Sequence, residues 1–208
     1  MIAEEAYEFL KINYNVSRET FSLLDEFHKL LLKWNKIVHL ISTNESDNLW
    51  HRHIIDCVEL TQIIKSDNTK IITDLGSGTG FPGIIIGLML DFKELHLIES
   101  NQKKAIFLEE AARLSSKQIY VHSERVENIT RINSDIVTAR AFSDLRTTIN
   151  LANLHSHKDT KLYSFKGRKL DSELEDAKKH WDFNYNKFPS SILNDSFIIE
   201  IINFAEKK

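Results

Sequence analysis

Apolar residues in the first 64 positions recur every three or four residues, which is the spacing of one buried face of an α-helix. The pattern predicts helices over residues 3–12, 18–35 and about 48–64. The apolar face of the second helix consists of Phe21, Leu24, Phe27, Leu31 and Trp34. Ser17 and Asp47 are expected N-caps, because their side chains can accept hydrogen bonds from the first backbone N–H groups of a helix.

From residue 70 onwards the pattern changes to short apolar runs that alternate with helical segments. It predicts strands at 70–74, 95–98, 119–122, 135–139 and 161–166, and helices at 82–90, 102–115, 147–154 and 170–179. Such alternation is typical of βαβ units, so the predicted fold class is α/β with a mostly parallel sheet.

The C-terminal part of the chain departs from this alternation. Two strand-like runs, Phe183–Phe188 and Phe197–Phe204, are separated only by the turn Pro189–Asp195, which has no room for a helix. We therefore expect an antiparallel hairpin that completes a seven-stranded sheet. The chain is expected to form a single domain, in which an N-terminal helical segment (1–64) packs on the α/β core (65–208).

The composition, 42% hydrophobic and 27% charged residues, is ordinary for a soluble globular protein. No apolar run approaches the roughly 18 residues of a membrane span, and the first ten residues have three glutamates and no basic flank, unlike a secretory signal. Cys57 is the only cysteine, so no internal disulfide can form and a cytoplasmic setting is expected. The scattered histidines predict no metal site.

Charge is distributed unevenly along the chain, although the net charge is only −3. Residues 101–170 hold 13 Lys and Arg against 7 Asp and Glu, a surplus of +6. A basic surface would favour a polyanionic substrate. Solvated helix faces explain the same surplus equally well, so charge alone leaves both interpretations open.

Four of the six glycines lie in one run, Asp74-Leu-Gly-Ser-Gly-Thr-Gly-Phe-Pro-Gly83, between two apolar segments. This is the layout of a strand, a tight glycine turn and a helix. Glycine lets the backbone approach a ligand closely, and the first turn of the following helix offers unpaired N–H groups. The run therefore predicts a small-molecule cofactor site.

Two cofactors fit this run. Gly78-x-Gly80-x-x-Gly83 matches the dinucleotide fingerprint, a weak signal by itself. Gly76-x-Gly78-x-Gly80 follows Asp74 by two residues, which places a carboxylate just before the turn. That carboxylate would suit the ammonium group of S-adenosylmethionine better than the pyrophosphate of a dinucleotide. Glu99, after the next apolar run, is placed to bind two ribose hydroxyls, which both cofactors carry.

Several short motifs follow one another in a characteristic order, namely Trp34-Asn35-Lys36 with Leu40, Arg52-His53-Ile54-Ile55-Asp56, Asp74–Gly83, Ala139-Arg140-Ala141-Phe142, and Lys166-Gly167. Together they resemble the RsmG (GidB) family of bacterial methyltransferases over about residues 20–170. The resemblance implies a Rossmann-like methyltransferase fold, S-adenosylmethionine as cofactor, and methylation of a guanine N7 in 16S ribosomal RNA. Its implied partner is small-subunit rRNA within a ribosomal particle.

The resemblance also implies cofactor contacts at Gly76, Phe81, Val126 and Glu127, and it places Arg140 close to the methyl donor or the incoming base. Asp74, Gly78, Gly80 and Glu99 complete the predicted cofactor site from the reasoning above. The chain departs from the family pattern at Cys57, where Ser is usual, and at His39, where Asn is usual. The family's basic residue in the last hairpin is not evident around Asn194–Phe197.

Guanine N7 has a free lone pair and no proton to lose, so no general base is expected. Arg140 and Lys166 are instead predicted to position the substrate through a phosphate or guanine O6. Structural alternatives exist for these residues. Arg140 could pair with Asp144, and Lys166 could be a solvated strand end. His53 and Asp56, three apart on a helix, could form a packing hydrogen bond, and His51 and Arg52 receive no role.

Two other functions remain open at the level of sequence. An NAD-dependent oxidoreductase would use Gly78-x-Gly80-x-x-Gly83, although little chain remains for a substrate domain. A non-catalytic ribosome- or RNA-binding module would use the basic stretch 101–170.

Overall fold

The computed structural model describes residues 1–42, 48–64 and 66–207. Within these ranges one sheet has the strand order β3-β2-β1-β4-β5-β7-β6. The strands are β1 (Ile71–Leu75), β2 (Glu94–Ile98), β3 (Ile119–His122), β4 (Ser134–Ala139), β5 (Ser156–Lys166), β6 (Trp181–Pro189) and β7 (Phe197–Glu206). The first five are parallel, and β7 is antiparallel to both β5 and β6. The predicted α/β fold with a closing antiparallel hairpin is confirmed.

The helices are α1 (Ala3–Tyr14), α2 (Arg18–Val38), α3 (Ile55–Ile63), α4 (Gly83–Met89), α5 (Gln102–Ala112), α6 (Leu145–Leu154) and α7 (Leu170–Ala177). A π-helical turn, Trp50–Ile54, runs directly into α3, and a short 3₁₀ turn covers Val126–Asn128. The helix predicted over 48–64 is thus a π turn followed by an α-helix. In the part of the chain that the structure describes, no helix is both long enough and apolar enough to cross a membrane.

Two details at helix ends bear on the sequence predictions. Ser17 caps α2 as predicted, because its side chain accepts a hydrogen bond from Thr20 N at 3.1 Å. The predicted cap Asp47 lies outside the described residues. His39 ends α2 with φ = +51°, in the left-handed region, where Asn and His are both enriched among non-glycine residues. The departure at His39 is therefore tolerated at a helix end.

Strand β5 begins at Ser156, five residues earlier than position 161, where the apolar pattern predicts it. The extra residues include two buried polar ones, Ser156 and Thr160. The Thr160 hydroxyl donates to Ser134 O at 2.6 Å, and the pairing of β4 with β5 is irregular just after Ser134. Hydrogen bonds rather than apolar burial hold this extension, so hydrophobicity does not reveal it.

The sheet carries a hydrophobic layer on each face. Alternate side chains of the strands point to opposite faces, so Ile72 belongs to the hydrophobic cluster that includes residues of α1–α5, whereas Leu75 belongs to the cluster that includes residues of α6 and α7. The N-terminal helices therefore share a face with α4 and α5, where Leu24, Phe27 and Leu31 of α2 are fully buried.

The strand order reverses at β1, since β2 lies on one side of it and β4 on the other. Ligands of open α/β sheets bind at the carboxyl ends of the strands at such a switch point. The segments that leave β1, β2, β3 and β4 at this edge contain Gly76, Glu99, Val126 and Arg140. The topology thus brings residues from four distant parts of the chain to one edge of the sheet.

Candidate active site

The loop after β1 takes a backbone course that requires glycine. Gly76, Gly78 and Gly80 have φ values of +62°, +56° and +88°. Gly76 is also crowded, because a Cβ atom at this position would overlap the ring of Phe142. Ser77 N donates to Ile98 O at 2.9 Å, which ties the loop to the end of β2. The backbone at Gly76 is therefore a fixed, close-fitting surface.

Glu99 holds this loop and also faces a cavity. Its Oε2 accepts a hydrogen bond from Gly78 N at 2.9 Å, and its Oε1 accepts one from Asn101 N at 2.7 Å. A carboxylate has about four acceptor sites, so capacity remains for two hydroxyl donors. The predicted ribose-binding position of Glu99 is compatible with this geometry, and its role remains a prediction.

Asp74 lies beneath the loop rather than on its ligand-facing side. The residue is fully buried, and its Oδ1 accepts a hydrogen bond from Thr138 Oγ1 at 2.7 Å. Its Oδ2 has no hydrogen-bond partner among the described residues but lies beside Gly83, at the first turn of α4, where negative charge is favoured. Burial raises the pKa of this carboxyl to about 6. This orientation favours a supporting role for Asp74, and its direct contact with an ammonium group stays a prediction.

Two cavities of about 250 Å³ each meet at Gly76. The first, called the Glu99 cavity, is lined by Gly76, Ile98, Glu99, Ser100, Glu124, Arg125, Val126, Glu127, Phe142 and Leu151. The second, called the Arg140 cavity, is lined by Leu40, Ile41, His53, Gly76, Ser77, Gly78, Thr79, Phe81, Lys104, Arg140 and Ala141. The predicted cofactor residues other than Asp74 and Gly80 thus line one cavity or the other.

Arg140, in the segment after β4, contacts the motif Arg52–Asp56, which leads into α3. Its guanidinium group donates to Arg52 O and pairs with His53 Nδ1, each at 2.8 Å, and lies 3.4 Å from Asp56 Oδ2. Because a guanidinium group only donates, His53 Nδ1 must accept, and the proton of a neutral ring is on Nε2. The ring of His53 stacks on Phe81 at 5.2 Å between centroids. The two motifs therefore form one wall of the Arg140 cavity.

The alternative pairing of Arg140 with Asp144 is wrong. Asp144 caps α6 instead, accepting hydrogen bonds from Thr147 N at 2.9 Å and from Thr147 Oγ1 at 2.8 Å. His53 and Asp56 meet through the Arg140 guanidinium group, a long-range contact that helical spacing cannot reveal.

Comparison with known proteins establishes the family of this chain. The family model described as rRNA small subunit methyltransferase G matches residues 20–194. A ribosomal RNA small subunit methyltransferase G of Orientia tsutsugamushi (strain Boryong) is 39% identical over 198 residues, which cover 95% of this chain and 98% of the relative. The chain belongs to this methyltransferase G family. Another member, from Rickettsia akari, is 38% identical over 192 residues, covering 92% of this chain and 98% of its own.

Solved structures support the fold of this methyltransferase G chain. A mutant of MtNAS in complex with S-adenosylmethionine superposes with a TM-score of 0.60 at 13% identity, over 97% of this chain and 84% of that one. A fibrillarin/Nop5p complex gives a TM-score of 0.56 at 11% identity, over 71% and 80% of the two chains. At such low identity the likeness establishes the Rossmann-like methyltransferase fold alone.

Lys166 lies at the end of β5 but outside both cavity linings of this family member. Its ammonium group is buried and donates to Ser143 O at 2.7 Å and to Glu173 Oε2 at 2.8 Å. Glu173 also accepts from Leu145 N, so the pair fastens the segment after β4 to α7. This geometry favours a structural role for Lys166, with the predicted substrate positioning as the alternative.

Replacement of Lys166 by Met separates these two roles. We expect Lys166→Met to lower the free energy of unfolding by about 1–2 kcal/mol, because Glu173 loses its buried cation. Below the unfolding temperature its kcat should stay within about threefold of wild type. Thermal denaturation and initial methylation rates measure the two effects separately. A folded variant with a hundredfold lower kcat would show that the ammonium group reaches the substrate.

Sequence reasoning missed Phe142 and Lys104 as cavity residues. Phe142 borders the Glu99 cavity and packs on Gly76, and Lys104 lies in the first turn of α5 at the Arg140 cavity. Phe142 stands in the motif Ala139–Phe142, so the family pattern contained a signal for it. Lys104 could not be told from other helical lysines, since its position depends on where α5 begins relative to the sheet.

The buried carboxyl of Asp74 gives a prediction about cofactor affinity. We expect Asp74→Asn to raise the Kd for S-adenosylmethionine and for S-adenosylhomocysteine by a similar factor of about ten, because the charge orders the loop and the start of α4. Isothermal titration calorimetry on both ligands checks this. Asp67→Asn, in the turn before β1, is the matched control. A Kd within twofold of wild type would contradict the supporting role.

Proposed function

We propose that this chain transfers the methyl group of S-adenosylmethionine to N7 of a guanine in 16S rRNA. The rRNA substrate is part of a small-subunit particle, and the reaction takes place in the cytoplasm. The observation that carries the proposal is the meeting of the two cavities at Gly76 in a chain of the methyltransferase G family. One cavity offers groups suited to a nucleoside, and the other offers an aromatic and cationic wall suited to a nucleotide.

The residues present fit S-adenosylmethionine. Glu99 supplies a carboxylate for the two ribose hydroxyls, and Val126 with Glu127 supplies an apolar and a polar flank for the adenine ring. Val126 is buried whereas Glu127 is exposed. Gly76, packed next to Phe142, brings bare backbone to the point where the two cavities meet, and Gly78 and Gly80 shape the rest of the loop. The cofactor, when bound, supplies an activated methyl group on a sulfonium.

The chain's own task is to position the guanine and to protect the site from water. The lone pair of N7 attacks directly and no proton is removed, so no general base is required. His53 Nδ1 is occupied by Arg140 and could not serve as one in this arrangement. Holding the nucleophile about 3–3.5 Å from the methyl carbon and in line with it contributes most of the catalysis.

Arg140 should contact a phosphate or guanine O6 rather than N7. Positive charge moves from sulfur to the base during the transfer, so a cation against N7 would oppose the reaction. The guanidinium group has five N–H donors, and His53, Arg52 and Asp56 do not exhaust them. Its position over the faces of Phe81 and Phe165, 5.8 and 5.4 Å from their centroids, limits its movement.

The substrate must present its guanine outside a regular duplex. In A-form RNA the N7 atom lies in a deep, narrow groove that side chains cannot enter. A loop or splayed strand within a ribosomal particle meets this requirement. Lys104 at the Arg140 cavity and Arg125 at the Glu99 cavity are cations at the two openings that could contact phosphates.

Methyl transfer to isolated subunits tests the proposal. Purified protein, labelled S-adenosylmethionine and small ribosomal subunits from a strain lacking the gene should give one labelled 7-methylguanosine per 16S rRNA. Large subunits and small subunits from the parent strain are the controls. Absence of label across a range of Mg²⁺ concentrations would overturn the proposal. Tight NADH binding without S-adenosylhomocysteine binding would favour an oxidoreductase. A wild-type phenotype in cells that carry a folded Gly78→Val variant would favour a non-catalytic module.

A further inference from the structure

A buried polar cluster lies behind Arg140, on the side away from the cavity. Asp56 and Glu59 are three residues apart on α3 and therefore share a face of that helix. Their exposed fractions are only 1% and 9%. Burying two carboxylates close together is costly unless other groups compensate them. Neither residue lines one of the two cavities, so cofactor contact does not explain them.

The compensating groups come from the two ends of the chain. Glu59 Oε1 accepts hydrogen bonds from Tyr14 OH at 2.9 Å and from Ser191 N at 3.0 Å, and it also contacts Ser191 Oγ. Ser190 Oγ lies 3.1 Å from Glu59 Oε2 and 3.4 Å from Asp56 Oδ1. Helix α1 and the turn between β6 and β7 therefore both fasten onto α3 through these carboxylates.

The same cluster continues into the Arg140 cavity. Asp56 faces Ser190 with Oδ1 and the Arg140 guanidinium group with Oδ2. Contacts thus run without a break from the turn residue Ser190 through Asp56 to Arg140. Arg140 has a long side chain, and its other two partners in this structure are a backbone carbonyl and a neutral ring nitrogen. Asp56 is the one group with a negative charge among the three.

We propose that Asp56 is a positioning residue for methyl transfer, which holds the Arg140 guanidinium group at the cavity and is itself held by the Ser190 hydroxyl, in the turn that Glu59 fastens to α3. This inference rests on the proposed function. It assigns the C-terminal hairpin a part in catalysis without any contact to the cofactor. Because small displacements of a positioning group cost about 100-fold in rate, removing the Asp56 charge should lower kcat rather than cofactor affinity.

Kinetics of Asp56→Asn test the proposal. We expect kcat for methylation of small subunits to fall about 30-fold, while the KM for S-adenosylmethionine stays within twofold. Ser190→Ala, which weakens the link without altering charge, should lower kcat about threefold with the same KM. Asp135→Asn is the control, since Asp135 binds Ile71 N and Lys70 at the opposite end of the sheet. It should lower the unfolding temperature and leave kcat unchanged.

A double-mutant comparison separates positioning from general damage. Arg140→Lys keeps the charge but loses the planar fork of donors. If Asp56 acts through Arg140, Asp56→Asn should cost less than about threefold in the Arg140→Lys background. An equal loss in both backgrounds would overturn the proposal, as would a folded Asp56→Asn variant with wild-type kcat. Failure of the wild-type protein to methylate small subunits would instead refute the proposed function itself.

Discussion

Gly76→Ala should lose at least 100-fold in affinity for S-adenosylmethionine. An alanine at φ = +62° costs roughly 1–2 kcal/mol, and its Cβ would overlap the ring of Phe142. The ring borders the Glu99 cavity, so a ring displaced by the alanine would change the shape of that cavity. In the free variant the loop relaxes to relieve the strain and the overlap, and binding must restore the original conformation; a cost of roughly 2.7 kcal/mol for that step corresponds to a hundredfold loss. Isothermal titration calorimetry with S-adenosylhomocysteine measures the effect.

Two other glycines provide matched controls for this variant. Gly78 has a similar φ of +56°, but the nearest atom to an added Cβ is 3.6 Å away. Gly78→Ala should therefore show the backbone strain without the overlap and lose only about tenfold in affinity. Gly167→Ala, with its nearest contact at 3.7 Å, should bind like wild type. Equal losses in Gly76→Ala and Gly78→Ala would refute the role of Phe142.

Arg140→Gln should lower kcat/KM for small subunits at least 100-fold and also destabilise the protein. The glutamine cannot reach the positions of all three partners, and Asp56 is left buried without its cation. Breaking a buried ion pair in this way costs roughly 3 kcal/mol. Arg146→Gln is the matched control, because Arg146 is 43% exposed and lies 3.7 Å from Asp176 on the surface. It should alter neither quantity measurably.

The destabilisation by Arg140→Gln should depend on pH. Burial raises the pKa of Asp56 to about 6, against the lowering effect of Arg140. A carboxyl with a raised pKa favours folding most when protonated, and that contribution is lost as the pH rises through its folded value. Without Arg140 the pKa should rise further, so the stability deficit of the variant should be clearly larger at pH 8 than at pH 5, where the lost contacts of Arg140 to Arg52 and His53 remain. Denaturant unfolding at the two pH values checks this, and a deficit independent of pH would contradict it.

Much of the fold can be predicted from the spacing of apolar residues. The parallel strands and the closing hairpin are predicted correctly because their apolar runs are short and bounded by turn residues. The first five residues of β5 escape prediction, since Ser156 and Thr160 are buried through hydrogen bonds. The π turn Trp50–Ile54 escapes it too, because a local widening of a helix leaves its apolar spacing almost unchanged.

Which residues belong to the candidate site is easier to predict from sequence than where their side chains point. The glycine run and Glu99 are predicted from the residues themselves, whereas Val126 and Arg140 are predicted from the family resemblance, and the parallel strands bring all of them to one edge of the sheet. The direction of a side chain depends on contacts between distant segments. Asp74 turns inward to Thr138, and Lys166 turns to Glu173. Neither contact has a signature in local sequence.

The most direct test of the account is nucleoside mass mapping of 16S rRNA from cells with and without the gene. We predict a single 7-methylguanosine that is absent in the deletion strain, restored by the wild-type gene, and not restored by the Gly76→Ala gene at equal protein abundance. A 7-methylguanosine map of 16S rRNA that is unchanged by the deletion would contradict the account.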